Sequence, residues 1–276
     1  MPEYPEIHTL ISTLNKQSLF NNKIVNIKYL DDKVLKNCNQ EQFNQFLINH
    51  CFTKISQLGK YIIFHLDRDK YLVAHMRMEG KLFFVKSNEP ATKFSMIEIY
   101  FANKHKLIYE DFRKFGSFTI YQNKNEYLQS KEISKLGLEL NDPKLTADYL
   151  LKRYKNRNIA IKTCLLDQTI FTGLGNIYAD EVLFACRINP LTKAKQITYK
   201  QCQNILKQAR MIVQKAIKAH GTTVFSYKFA PNRSGSYQKY LQAYGRKNRP
   251  CLRCKTLMKK IKVNGRGTTF CPKCQK

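Results

Sequence analysis

Four cysteines near the end of the chain constrain its fold more than any other feature. Cys251-Leu252-Arg253-Cys254 is followed, sixteen residues later, by Cys271-Pro272-Lys273-Cys274. Two Cys-x-x-Cys pairs at that separation can close one tetrahedral thiolate site, the ligand set of a structural zinc ion. Four thiolates leave no open position for water, so one structural Zn2+ is expected rather than a catalytic one. Between the pairs lie Lys259, Lys260, Lys262 and Arg266, so the metal would hold a positively charged fingertip.

Positive charge extends well beyond that tip. The 276 residues carry 48 Lys and Arg against 20 Asp and Glu, a formal net charge of +28. An AT-rich genome accounts for part of the lysine content, but an excess of this size calls for a polyanionic partner. Hydrophobic content is ordinary, which excludes a disordered chain, and the length allows one or two domains plus a small module. The remaining cysteines, Cys38, Cys51, Cys164, Cys186 and Cys202, show no pairing pattern. The last three fall in apolar helical patterns as small core residues, and the usage fits a reducing interior. The N-terminus lacks the basic-then-apolar run of a signal peptide, and no stretch approaches the roughly eighteen apolar residues of a membrane helix. The expected location is therefore cytoplasmic.

Ile7, Leu10, Ile11 and Leu14 follow helical spacing, and Pro5 suits the start of that helix. Short runs rich in β-branched and aromatic residues follow: 61–66, 71–76, 81–85, 96–101, 106–110 and 117–121. Asp67–Lys70 and Ala102–Lys104 read as hairpin connections, and six such strands predict an antiparallel sandwich or barrel-like unit. Beyond about residue 130 the pattern turns helical, with helices expected over 159–166, 177–186 and 202–217. Phe171-Thr172-Gly173-Leu174-Gly175-Asn176 is a Gly-rich turn in which Asn176 is expected to cap the following helix. Residues 221–245 are polar and read as a long loop.

Met1-Pro2-Glu3 carries a chemical possibility. Removal of Met1 would leave Pro2 with a terminal secondary amine, whose reference pKa near 8 keeps it far more nucleophilic at neutral pH than a lysine. Such an amine can form a cationic iminium with a sugar C1′, and Glu3 beside it could move protons. Alone, these three residues are a tolerated terminus. Other blocks extend the pattern: Gly59-Lys60-Tyr61, His75-Met76-Arg77-Met78-Glu79-Gly80, and Asp111-Phe112-Arg113-Lys114-Phe115-Gly116. Then come Gly173-Leu174-Gly175-Asn176-Ile177-Tyr178-Ala179-Asp180-Glu181 and Tyr244-Gly245-Arg246-Lys247, before the cysteines. Together with Pro2-Glu3-Tyr4-Pro5-Glu6-Ile7, and in this order over nearly the whole chain, the blocks resemble the formamidopyrimidine-DNA glycosylase and endonuclease VIII family of base-excision enzymes. The Met78 block is closer to the formamidopyrimidine branch.

The resemblance implies an α+β protein: an N-terminal antiparallel β-sandwich flanked by helices, then a C-terminal helical domain with a helix–two-turn–helix motif and a four-cysteine zinc finger. The expected divisions are residues 1–130, 131–245 and 246–276. It implies a monomer acting on damaged double-stranded DNA, with no membrane partner, that excises oxidised purines and then cleaves the strand by β,δ-elimination. Pro2 would be the nucleophile, Glu3 the proton carrier, Glu6 a supporting carboxylate, and Lys60 a phosphate contact assisting β-elimination. Arg266 would clasp the phosphates around the lesion and assist δ-elimination. Met78, Arg113 and Phe115 match the residues that fill the void left by a flipped nucleotide. His75, Arg157, Lys162, Asn176 and Tyr244 match DNA-contacting positions, Glu79 a lesion-recognition position, and residues 222–240 a lesion-capping loop. The chain departs from the family pattern at Tyr4, His8, Phe112 and Lys93-Phe94-Ser95-Met96, where histidines are common. Competing readings are an endonuclease VIII-like enzyme for oxidised pyrimidines, a catalytically silent DNA-binding relative, and, most remotely, a zinc-ribbon RNA-binding protein.

Overall fold

The computed structural model describes residues 2–223 and 227–276. Helix α1 (Tyr4–Leu14) is followed by β1 (Ile24–Tyr29), α2 (Gln40–Leu47), β2 (Phe52–Leu58), β3 (Tyr61–Leu66), β4 (Tyr71–His75) and β5 (Lys81–Lys86). The chain continues through β6 (Ser95–Phe101), β7 (His105–Glu110), β8 (Ser117–Tyr121), α3 (Lys124–Gln129), α4 (Ala147–Tyr154), α5 (Ile161–Leu166), α6 (Asn176–Cys186) and α7 (Tyr199–Lys218). A hairpin of β9 (Lys259–Val263) and β10 (Arg266–Phe270) comes last.

Eight strands form two four-stranded antiparallel sheets, ordered β1-β6-β7-β5 and β2-β3-β4-β8. Alternation along the strands supplies each sheet with an apolar face. Ile62, Phe64, Leu72 and Ala74 of one sheet and Leu82, Phe84, Ile97, Ile99, Phe101 and Leu107 of the other share a single core. Ile7, Leu10, Ile11 and Leu14 of α1 join that core, so the amphipathic stripe read from the sequence is the face that packs. Burying each such side chain contributes roughly 1.5–3 kcal/mol, which is what fixes the start of α1 against the sandwich.

The α+β class and the sandwich stand as expected. Four strands and three helices, β1, β2, β9, β10, α2, α3 and α4, were not read from the sequence. The chain divides into two compact units, Met1–Ser134 with Ala219–Ser236, and Lys135–Lys218 with Tyr237–Lys276. Segment 219–236, expected with the helices, thus belongs to the sandwich unit, and the cysteine module belongs to the helical one. The segment is pinned where the Ser236 N–H donates to the Ala219 carbonyl (2.9 Å). Gly235 is required there, since a Cβ would lie 2.2 Å from the Gly221 carbonyl oxygen. Residues 224–226 of the expected capping loop lie outside the described residues, as does Met1. Among the described residues no helix is long and apolar enough to cross a membrane.

Candidate functional site

In the sandwich unit the first turn of α1 gathers several of the expected residues. Pro2 and Glu3 are buried, and Glu3 is the residue that caps the helix. The Glu3 N–H donates to Glu6 Oε2 (2.8 Å), so the third helical residue reaches back to satisfy a free donor at the helix start. The other Glu6 oxygen, Oε1, accepts the Thr222 N–H (2.6 Å), and the Tyr227 hydroxyl donates to the Glu6 carbonyl (2.9 Å). Glu6 therefore ties the N-terminal turn to Thr222 and Tyr227 at the start of the 222–240 loop. Lys60 sits in the tight turn between β2 and β3, made possible by Gly59 at φ 56°. Gln57 carries this turn to the first one: its Nε2 donates to the Gly59 carbonyl (2.9 Å) and to the Tyr4 carbonyl (3.0 Å). Gln57 has no place in the sequence motifs and was missed.

His75 ends β4 edge-on to Tyr61, with ring centroids 4.7 Å apart. It is buried, and its Nδ1 accepts the Arg77 N–H (2.9 Å). That bond puts the ring proton on Nε2. Burial, helped by the charges of Arg77 and Lys60, depresses its pKa from 6.5 to about 3. The expected phosphate contact is thereby narrowed to a neutral Nε2–H donor.

Two loops close on one hydroxyl. The 76–80 turn brings Gly80 so near Tyr109 that a Cβ would lie 2.8 Å from its Oη, and Gly116 is closer still. Tyr109 Oη in turn donates to Asp111 Oδ2 (3.0 Å). Asp111 is buried and also accepts the backbone N–H groups of Arg113 (3.0 Å), Phe115 (2.9 Å) and Gly116 (2.8 Å). The structure thus brings the Met78–Glu79 turn and the Arg113–Phe115 loop together. Met78 and Glu79 are half-buried, whereas Phe115 is 54% exposed beneath the Arg113 guanidinium, 4.7 Å from its ring centroid. Two departures from the family pattern also meet, since Phe94 and Phe112 pack edge to face at 5.3 Å.

In the helical unit, Asn176 is the first residue of α6 and Gly175 the residue before it, so the expected capping role of Asn176 is corrected. Its Nδ2 instead donates to the Gly267 carbonyl (3.0 Å). Its Oδ1 is buried without a partner among the described residues, and it is an acceptor, which a phosphate oxygen cannot satisfy. The donors at this position are the second N–H of Asn176 Nδ2 and the backbone amides of the α6 start. Lys162 is a second correction. Expected at the DNA surface, its side chain is fully buried, 2.6 Å from Asp180 Oδ1, and it also donates to Thr268 Oγ1 (2.8 Å) and the Gly267 carbonyl (3.2 Å). An ammonium so committed cannot serve a phosphate without abandoning a buried carboxylate. Burial pushes the Asp180 carboxyl up to about 6, against the pull of Lys162 and of the Thr269 N–H, which donates to Oδ2 (2.9 Å). Arg157 is partly exposed and ion-paired with Asp167 (2.7 Å). Glu181, buried, accepts the N–H groups of Gln242, Ala243 and Tyr244, which fixes the backbone of Tyr244.

The Sγ atoms of Cys251, Cys254, Cys271 and Cys274 lie within 4.8 Å of one another, with Cys251–Cys274 at 4.0 Å and Cys254–Cys271 at 3.4 Å. A tetrahedron with Zn–S bonds near 2.3 Å has edges of about 3.8 Å, so the four thiols are positioned to bind one zinc ion. Phe184, Ala243 and Met258 pack around them. Above the site, Asn264 (φ 44°) and Gly265 (φ 75°) make the two-residue turn that sets Arg266 opposite Val263, with the Arg266 side chain exposed.

Three family models match in succession: the formamidopyrimidine-DNA glycosylase N-terminal domain over residues 1–118, its H2TH domain over 136–228, and a zinc finger found in FPG and IleRS over 249–276. A formamidopyrimidine-DNA glycosylase of Ureaplasma parvum is 42% identical over the full length of both chains, and one of Mycoplasma pneumoniae is 41% identical over all of this chain and 99% of its own. Among solved structures, a Lactococcus lactis FPG in complex with Fapy-dG-containing DNA superposes with a TM-score of 0.93 at 34% identity, covering both chains completely. MutM in complex with DNA containing carbocyclic 8-oxo-G gives 0.92 at 33%, again with full coverage. End to end, in sequence and in fold, this chain belongs to the formamidopyrimidine-DNA glycosylase family.

Proposed function

We propose that the chain is a bifunctional DNA glycosylase and AP lyase of base-excision repair that removes oxidised purines, chiefly 8-oxoguanine opposite cytosine and formamidopyrimidines. The observation that carries this reading is the buried Pro2–Glu3 turn, ordered by Glu6, in a chain 42% identical over its whole length to a formamidopyrimidine-DNA glycosylase. After loss of Met1, the Pro2 amine attacks C1′ of the damaged nucleotide, the glycosidic bond breaks, and the base leaves with that electron pair and a proton. The C1′–O4′ bond then breaks, its electron pair taking a proton as the 4′ hydroxyl, and the ring-opened iminium so formed acidifies C2′–H, so that proton removal expels the 3′ phosphate. A second elimination expels the 5′ phosphate, leaving a one-nucleotide gap with phosphates at both ends. Glu3 carries protons, Lys60 assists the first elimination, and Arg266 holds phosphates and assists the second.

Chemistry on a base requires its extrusion from the stack, and Met78, Arg113 and Phe115 fill the void, with Arg113 hydrogen-bonding the orphaned base. Glu79 contributes to lesion recognition, and Arg157, Tyr244, His75 Nε2–H and the α6 start contact the DNA backbone. Zinc holds the finger and takes no part in the chemistry. The protein acts as a monomer in the cytoplasm.

Borohydride trapping tests this reading, with an 8-oxoguanine:cytosine duplex and a thymine-glycol duplex side by side. A covalent band on the first, lost in Pro2→Gly with DNA binding retained, is expected. Unchanged trapping by Pro2→Gly would remove the nucleophile assignment. A band only on thymine glycol would favour the second reading, an enzyme for oxidised pyrimidines, which draws support from a Lactococcus lactis FPG solved with oxidised-pyrimidine DNA.

A further inference from the structure

The buried pair in the helical unit has no part in the chemistry above, yet several of its hydrogen bonds lead to the strand that begins with Arg266. Lys162, from α5, and Asp180, from α6, are both fully buried and 2.6 Å apart. Three further hydrogen bonds run from the pair to β10. Lys162 Nζ donates to Thr268 Oγ1 (2.8 Å) and to the Gly267 carbonyl (3.2 Å), and Asp180 Oδ2 accepts the Thr269 N–H (2.9 Å). Asn176 Nδ2 adds a second donor to Gly267 (3.0 Å). Three consecutive residues of β10 are thus held from outside their hairpin, and the residue that precedes them is Arg266. Thr268 completes a relay, since the hydroxyl that accepts from Lys162 donates to the Arg266 carbonyl (3.1 Å).

The zinc ligands account for only part of this arrangement. They grip the module at residues 251–254 and 271–274, the second pair directly after β10, whereas the contacts above hold Gly267, Thr268 and Thr269 from α5 and α6. Buried ion pairs are poor sources of net stability, because desolvating both charges offsets most of their attraction, and replacement by apolar residues of similar volume is often neutral. What such a pair supplies is direction: any shift of β10 by one residue would strand a buried ammonium and a buried carboxylate without partners.

We propose that Lys162 and Asp180 form a latch that fixes the register of β10 on α5 and α6, and thereby act as positioning residues for Arg266. The inference rests on the role given to Arg266 under the proposed function. Zinc secures the finger as a folded module, and the latch sets where its arginine stands.

The test uses the full-length, zinc-loaded protein and an abasic-site duplex, reading zinc per chain, borohydride trapping, and the ratio of δ- to β-elimination product. Four variants are compared: Arg266→Ala, Asp180→Asn, the apolar replacement Lys162→Met with Asp180→Leu, and Asp180→Asn with Arg266→Ala. The apolar replacement guards against simple unfolding, because it removes the latch without leaving a lone buried charge. Arg266→Ala is expected to lower the product ratio about tenfold or more, the scale of losing one transition-state donor. Asp180→Asn and the apolar replacement should match it, with zinc content and trapping retained. Adding Asp180→Asn to Arg266→Ala should change the ratio by less than about twofold, since both act through one group. A wild-type ratio in the apolar replacement, or a multiplicative loss in the combined variant, would overturn the latch. If Arg266→Ala itself leaves the ratio unchanged, the role proposed for Arg266 fails. Hydrogen exchange of the Thr269 amide then decides the latch alone: faster exchange in the apolar replacement supports it, and unchanged protection overturns it.

Discussion

Two exposed arginines are presented by opposite means. Arg113 rides on a loop whose backbone N–H groups converge on one carboxylate, Asp111, from two, four and five residues away. Arg266 opens a strand held by side chains 89 to 106 residues distant in sequence and by a metal site. The first device is local and uses one charge against neutral donors. The second is distributed and buries a charge pair. A loop of the first kind is specified by its own few residues, whereas the second requires two helices and an ion to be in place. Short polar motifs of the first sort are visible in a sequence, and those of the second sort are not.

Metal removal should separate the two most sharply. Structural zinc sites contribute on the order of 10 kcal/mol of apparent binding energy, so chelation or Cys271→Ala should melt the hairpin. Amide exchange would show protection lost over 259–270 and kept over 111–116. Equal loss in both segments would mean that the two presentations are not independent. Asp111→Ala is the reciprocal experiment. It leaves the Tyr109 hydroxyl and three N–H groups without their acceptor, and a loss on the order of 4 kcal/mol is expected by chemical denaturation, with zinc content unchanged. A loss below about 1 kcal/mol would show that solvent replaces the carboxylate easily.

A smaller effect comes from pH. His75 has a pKa of about 3 in the fold against 6.5 unperturbed, so the unfolded chain takes up a proton first as pH falls. The stability contributed by the neutral ring is complete above about pH 6.5 and declines as pH drops towards 3, by about 2 kcal/mol at pH 5. His75→Gln should flatten that decline between pH 6.5 and 5, and an unaltered slope would place the titrating group elsewhere. The smallest expected change in stability is that of Arg157→Ala. Its partly exposed pair with Asp167 contributes about 0–1 kcal/mol, but loss of a phosphate contact would lower the log–log salt slope of DNA binding by ~0.9. An unchanged slope would remove Arg157 from the interface.

Legibility in the sequence followed the same divide. The runs from Tyr61 to Tyr121 were readable as strands because they alternate or are uniformly apolar and are bounded by turn residues. β1 and β2 were not: Ile24-Val-Asn-Ile-Lys-Tyr and Phe52-Thr-Lys-Ile-Ser-Gln-Leu keep only two strongly buried positions each, at wide intervals. α4 is eight residues long, too short for its apolar period to stand out. Of the site, the cysteines and the Asp111 loop were legible as spaced motifs. Lys162 was matched to a DNA-contacting position of the family, and no local spacing betrays its burial, since its partner lies eighteen residues on, across a Gly-rich turn. The Asn264-Gly265 pair did carry a readable hairpin signal, a turn type with positive φ at both central residues, and it would have placed Arg266 at a strand start.

The sequence distances that separate the two presentations also imply an order of assembly. Closing a loop over a handful of residues costs little chain entropy, so the Asp111 turn, which links β7 of one sheet to β8 of the other, can form early. The four cysteines are close enough together to gather a zinc ion on their own. Docking of the hairpin waits for contacts roughly a hundred residues apart, and by that reckoning Arg266 takes its station among the last events of folding.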